Sequence, residues 1–387
     1  MAHHNTIFRQ LLQLVDRHVF NRIERQSFKN GRRCSRLNRW QQFTAMMFAQ
    51  LGGLCSLRDV TQQFEGQSRR LYHLGLRAVR RSTLADANAK RSAGFFEAIF
   101  QAQYARCAAL APKKKFHFQN KLYSFDSSVI DLCLSVFPWA KFRRTKGGIK
   151  LHTLLDHDGY IPAFVDITNA KVADVTPARL LKLPAGSVIV MDRAYVDFSL
   201  FSELHARGIH FVTRLKKGMR YRVVERRESD RAQGVTSDQT IQFTGAKAKN
   251  CPMALRRVGY RDAESGTHYF FLTNVFDLAA KTIADIYKER WQVELFFKWI
   301  KQNLKIKSFL GTSKNAVMTQ IWIALITLLI IAYYKFMTTL SYSFSQILKL
   351  VRLNLFVKRN LMDLFKPELN TRSEQVGIQL SFNFNKL

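Results

Sequence analysis

The hydrophobic period of this 387-residue chain first changes from helical to strand-like near residue 115. Upstream of that point, apolar residues recur at the i, i+3, i+4, i+7 spacing of an amphipathic helix, as do Phe8, Leu11, Leu12, Val15 and Val19. Residues 111–115 form a basic, Pro-containing linker, and downstream of it apolar and polar residues alternate, which is typical of strands. The sequence therefore predicts a helical region at residues 1–115 that is followed by a different domain.

The region after residue 115 has the pattern of an α/β domain. Its short apolar run Ser187–Met191 is typical of a parallel strand that is buried on both faces of a sheet. Strand-like segments precede this run at residues 121–130, 149–155 and 161–167, and helical patterns flank it. We expect residues 116–215 to form a mixed sheet with helices packed against it.

Two further changes of pattern follow this α/β unit. Residues 216–275 contain four strand-like segments separated by polar turns, which predicts an all-β insertion. Residues 278–304 return to a strong helical pattern, so a helix within 276–310 is expected to complete the core of the α/β domain. We expect residues 311–387 to form a helical C-terminal region.

One uncharged segment, at residues 316–334, is nearly long enough to cross a membrane, for which about 20 apolar residues are needed. Its flanks, Lys314 and Lys335, are basic on both sides, and there is no second such segment in the sequence. We therefore favour a buried core helix over a transmembrane helix. The five scattered cysteines form no C-x-x-C pair, and no signal peptide is recognised, so a cytoplasmic location is expected.

The charge of the chain predicts a polyanionic partner. With 61 Lys and Arg against 28 Asp and Glu, the net charge is +33, which favours nucleic acid or an anionic membrane surface as the partner. Short helices with basic turns in residues 1–115 are typical of helix-turn-helix modules, and a helical bundle with a solvated basic face is the alternative. Because acidic residues are scarce, each well-placed carboxylate is informative.

Polar side chains line one edge of the predicted helix at 278–304. At about 100° per residue, Tyr287, Arg290, Glu294 and Lys301 fall within about 60° of one another, beside the apolar stripe. A glutamate in that position suits a metal ligand surrounded by phosphate-binding groups. An ordinary solvated face with mixed charges is the alternative that this pattern leaves open.

Two aspartates favour the metal site. Asp192 directly follows the apolar run, at the strand end where open α/β sheets place their sites. Asp126 lies within a hydrophobic strand, where a carboxylate is costly unless it is paired or bound to metal. Together with Glu294, these side chains would form an oxygen-rich site for Mg²⁺ or Mn²⁺. Two such ions, about 3.5–4 Å apart, can catalyse phosphodiester chemistry.

The spacing Tyr287-x₂-Arg290-x₃-Glu294-x₆-Lys301 is similar to the YREK signature of insertion-sequence transposases, which have an RNase H-like DDE core. The segments around the two aspartates resemble that family as well, at Tyr123–Asp126, Gly148–His152 and Asp192–Tyr195. The resemblance covers roughly residues 120–310, including the β insertion. It implies an RNase H-like mixed-sheet catalytic domain.

This resemblance also implies an activity and a cofactor. Asp126, Asp192 and Glu294 would be the catalytic triad and would bind two Mg²⁺ ions, for which Mn²⁺ can substitute. The protein would bind terminal inverted repeats, nick the transposon ends by hydrolysis, and join the 3′-hydroxyl ends to target DNA by transesterification. A bacterial, nucleoid-associated location is expected from this activity.

The other residues of the signature would bind DNA. Arg290 and Lys301 would hold phosphates near the cut, and Tyr287 would support the glutamate helix or contact the DNA backbone. Trp291 would stack on a distorted base or pack in the core, and the sequence leaves both open. Joining two ends implies a homodimer, for which residues 302–366, including the apolar segment, are a candidate contact; no membrane partner is expected.

Other interpretations stay open at this point. The chain could be an RNase H-like nuclease without strand transfer, a non-catalytic basic DNA-binding protein, or a membrane-associated protein anchored by 316–334. Asp174 is expected to be a helix N-cap and His152 a core histidine, while Asp156 and Asp158 are expected at a turn or on the surface.

Overall fold

A computed structural model describes residues 5–27, 37–76, 79–114 and 119–366. The helix break predicted at residues 31–33 and the last residue of the predicted linker, at 115, lie outside the described residues. Asp126, Asp192 and Glu294 all lie within the described ranges, as do the other residues of the signature.

The N-terminal region is helical, as its hydrophobic period predicts. Its helices are α1 (Ile7–Gln13), α2 (Arg17–Ser27), α3 (Arg39–Gly52), α4 (Leu57–Gly66), α5 (Ser68–Leu71), α6 (Arg81–Lys90) and α7 (Gly94–Leu110). Capping boxes begin α3 and α4: the Asn38 side chain accepts from the Gln41 backbone, and the Ser56 side chain accepts from the Asp59 backbone. Gly53 ends α3 in the left-handed conformation, with φ at 67°.

A nine-stranded mixed sheet follows, in the spatial order β3-β2-β1-β4-β5-β9-β8-β7-β6. Its strands are β1 (Leu122–Leu132), β2 (Gly147–Asp156), β3 (Ile161–Asn169), β4 (Val188–Met191), β5 (His210–Arg214), β6 (Tyr221–Arg227), β7 (Val235–Phe243), β8 (Leu255–Arg261) and β9 (His268–Thr273). The hairpin β2–β3 pairs antiparallel with β1, whereas β1, β4 and β5 are parallel neighbours. The apolar run becomes β4, which is buried along its whole length, as predicted for a parallel strand covered on both faces.

The strands of residues 216–275 extend this same sheet. β9 pairs antiparallel with β5, from Val212 opposite Thr273 to Arg214 opposite Phe271. A buried ion pair joins β7 to β8, with Arg256 Nη2 2.7 Å from Asp238 Oδ2, and Arg256 also donates to the backbone carbonyl of Leu278. The insertion is therefore tied to the segment that leads into the next helix. α8 (Val175–Arg179) and α9 (Phe198–Ala206) cover the sheet between β3 and β5.

The helix predicted at 278–304 is two helices, α10 (Ala280–Lys288) and α11 (Trp291–Asn303). Between them the backbone N–H of Arg290 donates to Tyr287 O, and that of Gln292 donates to Glu289 O, so the α-helical ladder tightens to i−3 bonds. Tyr287 therefore lies in the last turn of one helix while Glu294 lies in the first turn of the next. A helical wheel drawn over residues 278–304 as one helix therefore does not give the relative positions of Tyr287, Arg290, Glu294 and Lys301.

The uncharged segment forms the core of α12 (Lys314–Met337), and α13 (Phe344–Asn354) follows. Among the described residues, α12 is the one helix long and apolar enough to cross a membrane, and 89% of its apolar window is buried inside the protein. It packs against α3, α6, α7 and α13. The preference for a core helix is confirmed, because the chain itself covers most of this segment. The dimer contact predicted within residues 302–366 stays a prediction.

Candidate active site

Asp126 and Asp192 are neighbours on adjacent parallel strands. The register of β1 and β4 runs from Leu122 opposite Val188 to Phe125 opposite Met191, and each aspartate is the next residue of its strand path. Asp192 continues β4 in an extended conformation, at φ −75° and ψ 169°. Since paired residues on adjacent strands share a face, the two carboxylates point to the same side of the sheet.

That side of the sheet is the one that α10 covers. Phe125 and Met191 face the opposite side, where they pack with Tyr195 and Phe201. Alternate positions of β4, Val188 and Val190, pack with Ile283 and Ile286 of α10. The local sequence explains this placement. Apolar residues precede each aspartate on both faces of its strand, so the strand is buried as far as the residue before the carboxylate.

Asp126 is the more enclosed of the two aspartates. Its side chain is 18% exposed, and its Oδ1 accepts a hydrogen bond from the Ser127 backbone N–H at 2.8 Å. Burial raises the pKa of Asp126 to about 6, even though the Ser127 bond and the Arg290 charge lower it. The charges of Asp192 and Glu294 add to the increase, so the three acidic groups lie close enough to repel one another.

Asp192 begins a short 3₁₀ turn at residues 193–195. Its Oδ1 accepts from the Arg193 backbone N–H at 2.6 Å, and the Thr213 hydroxyl on β5 donates to its backbone carbonyl at 3.3 Å. These bonds leave the second carboxylate oxygen for a ligand. Strands β1 and β5 thus hold β4 on both sides up to Met191 and Val190, the residues that lead into Asp192.

Arg290 joins Asp126 to Glu294. One guanidinium nitrogen lies 3.3 Å from Asp126 Oδ2, and the other lies 2.6 Å from Glu294 Oε1. The Arg290 side chain is 16% exposed, whereas that of Glu294 is 33% exposed. The structure therefore brings Asp126, Arg290 and Glu294 together, with a guanidinium between the two carboxylates.

The donor set of this site fits a hard divalent cation. Carboxylate oxygens are the ligands that Mg²⁺ and Mn²⁺ prefer, and two of the three carboxylates lie side by side on adjacent strands. Within the described residues, no three Asp, Glu, His or Cys side chains are grouped closely enough to hold a metal ion as they stand. Arg290 occupies the space between Asp126 and Glu294, so a shared ion would need that guanidinium to move.

The remaining signature residues surround this group. The Lys301 amine donates to Ser128 Oγ at 2.6 Å and to the Val129 carbonyl at 2.9 Å, which places it along β1 just beyond Asp126. Tyr287 is buried and packs on Phe271, with ring centroids 4.9 Å apart. Trp291 is 55% exposed, so its interpretation as a core tryptophan is wrong.

An aromatic cavity of about 280 Å³ adjoins the site on the side of Tyr287 and Trp291. Sequence reasoning missed two of its residues, Arg214 and Tyr269, whose guanidinium and ring are 4.7 Å apart. Arg214 ends β5, directly beside β4 in the sheet. The strand-end rule that identifies Asp192 could also have identified Arg214.

Residues at the β2–β3 turn differ from their expected roles. Asp156 is fully buried: Lys121 Nζ lies 2.8 Å from its Oδ2, and the Tyr104 hydroxyl donates to the same atom at 2.8 Å. Asp156 therefore lies at the turn, as predicted, but its carboxylate is buried and not on the surface. Its neighbour His157 is also buried and contacts Glu289 and Ser124, which lie next to Arg290 and near Asp126. No sequence pattern pointed to these three residues.

His152 and Asp174 contact each other instead of acting separately. His152 is buried, its Nε2 is 2.9 Å from Thr168 Oγ1, and burial lowers its pKa to about 4, so it is a core histidine as expected. Asp174 occupies the N-cap position of α8, as predicted, but its side chain makes no cap bond to that helix. Its carboxylate instead lies 3.1 Å from Lys150 Nζ and accepts from the Ser127 hydroxyl at 2.7 Å.

Comparison with known proteins gives matches over most of the chain. Residues 117–330, more than half of the chain, match the family described as the transposase DDE domain, and residues 3–77 match a family described as a domain of unknown function, DUF4372. The y4zB protein of Sinorhizobium fredii, which is named as a transposase, is 32% identical over 288 residues, covering 73% of this chain and 80% of that protein.

Two further matches carry related names. The protein named as the transposase of insertion sequence element IS5377 from Geobacillus stearothermophilus is 31% identical over 238 residues, 60% of this chain and 62% of that protein. Among solved structures, the piggyBac transposase synaptic complex with hairpin DNA aligns with a TM-score of 0.45 at 12% identity, covering 95% of this chain and 86% of that chain.

Proposed function

Since this chain belongs to the DDE transposase family of insertion sequences, we propose that it cuts transposon ends and joins them to target DNA with Asp126, Asp192 and Glu294. The observation that carries the proposal is the pairing of Asp126 with Asp192 on one face of the sheet, with Glu294 linked to Asp126 through Arg290. Paired carboxylates at adjoining strand ends are suited to phosphodiester chemistry with a hard cation.

The three carboxylates would hold two divalent ions, Mg²⁺ or Mn²⁺. The chemistry that such ions supply when bound is activation of an oxygen nucleophile and stabilisation of the leaving oxygen. Asp126 and Asp192 would be the fixed ligands, because the sheet holds their backbones on both sides. Glu294, in the first turn of α11, would complete the set when Arg290 moves.

Two reactions would use this site in turn. In the first, water attacks a phosphorus at the transposon end, the bond from phosphorus to the 3′ oxygen breaks, and a 3′-hydroxyl is released. In the second, that 3′ oxygen attacks a phosphorus of target DNA and displaces the 3′ oxygen of the target strand. The second step exchanges one phosphodiester for another, so it needs no external energy source.

The basic side chains around the carboxylates would bind the DNA. Arg290 lies between Asp126 and Glu294, and its guanidinium would bind a phosphate next to these carboxylates once it leaves them. Lys301 would contact the phosphates next to Asp126, and Tyr287 would support the glutamate helix or contact the DNA backbone. The exposed Trp291 indole would stack on a distorted base. The helices of residues 1–115 would recognise the terminal repeats, and a homodimer would hold both ends.

An end-cleavage assay tests this function. A labelled duplex that carries one terminal repeat of the element is incubated with the full chain and Mg²⁺ or Mn²⁺. The wild type should nick the duplex, and Asp126→Asn, Asp192→Asn and Glu294→Gln should each lower the nicking rate on the order of 10³-fold or more while duplex binding persists.

Asp277→Asn is the matched control, because Asp277 is an exposed aspartate between β9 and α10. It should nick at the wild-type rate. Nicking by Asp126→Asn at the wild-type rate would refute the assignment and favour a non-catalytic DNA-binding protein. Pre-cut ends with target plasmid test the second step: nicking without joined product would favour a nuclease that lacks strand transfer.

A further inference from the structure

The junction between α10 and α11 is held by a closed group of polar contacts beneath the proposed active site. Glu289, the residue before Arg290, forms an ion pair with Lys114 and contacts the ring of His157, whose Nδ1 lies 3.5 Å from Glu289 Oε2. His157 Nε2 is 2.7 Å from Ser124 Oγ, and Ser124 Oγ is 3.5 Å from the backbone carbonyl of Glu289. The series of contacts therefore starts at the Glu289 side chain, passes through His157 and Ser124, and ends at the Glu289 backbone carbonyl.

We propose that Glu289 is a positioning residue that fixes the α10–α11 junction to β1 and so holds Arg290 and Glu294 over Asp126. This proposal deepens the function proposed above and rests on it. Ser124 lies two residues before Asp126, on the same face of the same strand. The group therefore connects the strand of the first aspartate to the turn that aims the glutamate helix.

The burial of these groups shows why the contact is specific. His157 and Ser124 are almost fully buried, and the Glu289 side chain is 24% exposed. The His157 contact, followed by that of Lys114, holds the pKa of Glu289 below its ordinary value, so the carboxylate is charged. Because a partly buried ion pair adds little net stability, its main effect is to select one geometry over others.

The geometry at the junction needs such a restraint. The i−3 hydrogen bonds at Arg290 and Gln292 do not set the direction of α11 as a continuous α-helix would. Without Glu289, the remaining restraints on α11 are the packing of its apolar face and the polar contacts that Arg290 and Lys301 make with β1. A displacement of about 1 Å at a reacting group can cost about 100-fold in rate.

The test compares Glu289→Gln with the wild type in the full chain. Glutamine keeps the shape of the side chain and removes the charge that Lys114 and His157 contact. We expect duplex binding, measured by fluorescence anisotropy without metal, to change less than about twofold. The single-turnover nicking rate at saturating Mn²⁺ should fall about 10- to 100-fold, and the apparent Mn²⁺ constant should rise about tenfold.

A double variant and a matched control complete the design. Adding His157→Gln to Glu289→Gln should cause little further loss, because the two residues act as one unit. Asp285→Asn is the control, since Asp285 pairs with Lys281 on α10 at a partly exposed position and should nick like the wild type. If Glu289→Gln lowers only the melting temperature and the active fraction, with unchanged rate and Mn²⁺ constants, the role is purely structural and the proposal is overturned.

Failure of this inference and failure of the proposed function give different results. A wild-type chain that nicks, together with a Glu289→Gln chain that nicks equally, overturns the positioning role alone. A wild-type chain that does not nick counts against the proposed function. In that case Tb³⁺ luminescence sensitised by tryptophan measures ion binding directly, and equal Tb³⁺ affinity in wild type and Glu289→Gln overturns the positioning role.

Discussion

At the residue scale, the contact that most affects the site is Arg290 between two carboxylates. Burial raises the pKa of Asp126 to about 6, and the Arg290 guanidinium opposes that increase. A cation between Asp126 and Glu294 offsets the repulsion of clustered acidic groups, which is also what a bound metal ion would do. Arg290 and a divalent ion therefore compete for the same oxygens.

This competition predicts that Arg290→Met binds metal more tightly than the wild type. Methionine retains much of the side-chain volume and removes the charged hydrogen bonds, which are worth about 1.5–3 kcal/mol each to a charged group. We expect Mn²⁺ affinity at pH 8, measured by calorimetry without DNA, to rise about tenfold or more, because 1.4 kcal/mol corresponds to a factor of ten.

The same variant should lose DNA cleavage if Arg290 also holds a phosphate. Arg214→Met is the control, because Arg214 lies over the Tyr269 ring in the neighbouring cavity and has no described contact with the carboxylates. Its Mn²⁺ affinity should not change. Weaker Mn²⁺ binding by Arg290→Met would show that Arg290 supports the ligands and does not compete with the ion.

A residue of the candidate site could be predicted only where a few neighbouring residues in the sequence indicate it. Asp126 and Asp192 were found because a carboxylate inside a hydrophobic strand, or directly after one, is visible in a few residues of sequence. The Arg290 bridge could not be found, since it depends on the i−3 turn that re-aims α11. His157 and Glu289 are ordinary polar residues in sequence, and only the fold shows that they are buried together.

At the element scale, α12 has the most unusual environment. It is apolar around its whole circumference, and a helix of that kind must be surrounded by other elements or by lipid. Trp322 packs against Phe100 of α7, with ring centroids 5.3 Å apart, and Asn315 near its start accepts from the Ala93 backbone N–H at 3.1 Å. These contacts are those of a helix in a protein core.

A buried position of α12 should therefore behave as a core position. Leu325 is fully buried, so Leu325→Ala should lower the free energy of unfolding by about 2–5 kcal/mol through lost burial and the cavity left behind. Urea denaturation followed by tryptophan fluorescence measures the change. Leu353→Ala on α13 is the control, since Leu353 is 80% exposed, and should change stability by less than about 0.5 kcal/mol. Equal stability of both variants would contradict the core assignment.

Secondary-structure elements were predicted best where a short hydrophobic pattern marks each strand. The strands β1 to β5 and the four strands of the insertion correspond to the segments predicted as strands, β4 from its continuous apolar run and the others from their strand-like patterns. The break between α10 and α11 was not predicted, because residues 288–291 continue the helical pattern of apolar and polar positions. The joining of the insertion to the main sheet through β5 and β9 was also invisible, since strand pairing over about 60 residues leaves no local signal.

At the scale of the whole molecule, the N-terminal and C-terminal helices share one hydrophobic core. Phe8, Phe43 and Phe96 of the N-terminal region belong to the same buried cluster as Ile326 of α12 and Leu151 of β2. The sequence placed a domain boundary at residues 115 and 116, and that boundary stays a prediction. The shared core indicates that the two regions stabilise each other during folding.

A fragment that starts at residue 119 tests this dependence. Without α1 to α7, the faces of α12 that pack on α3, α6 and α7 would be exposed, and apolar surface of that size favours association. We expect the fragment 119–366 to aggregate or to require detergent, whereas the full chain in the same buffer stays monodisperse on gel filtration. Co-expression of residues 1–114 as a separate chain should restore solubility, because it supplies the missing helices. If the fragment alone is monodisperse and unfolds cooperatively, the catalytic domain has an independent core and α12 is covered by a rearrangement of its own neighbours.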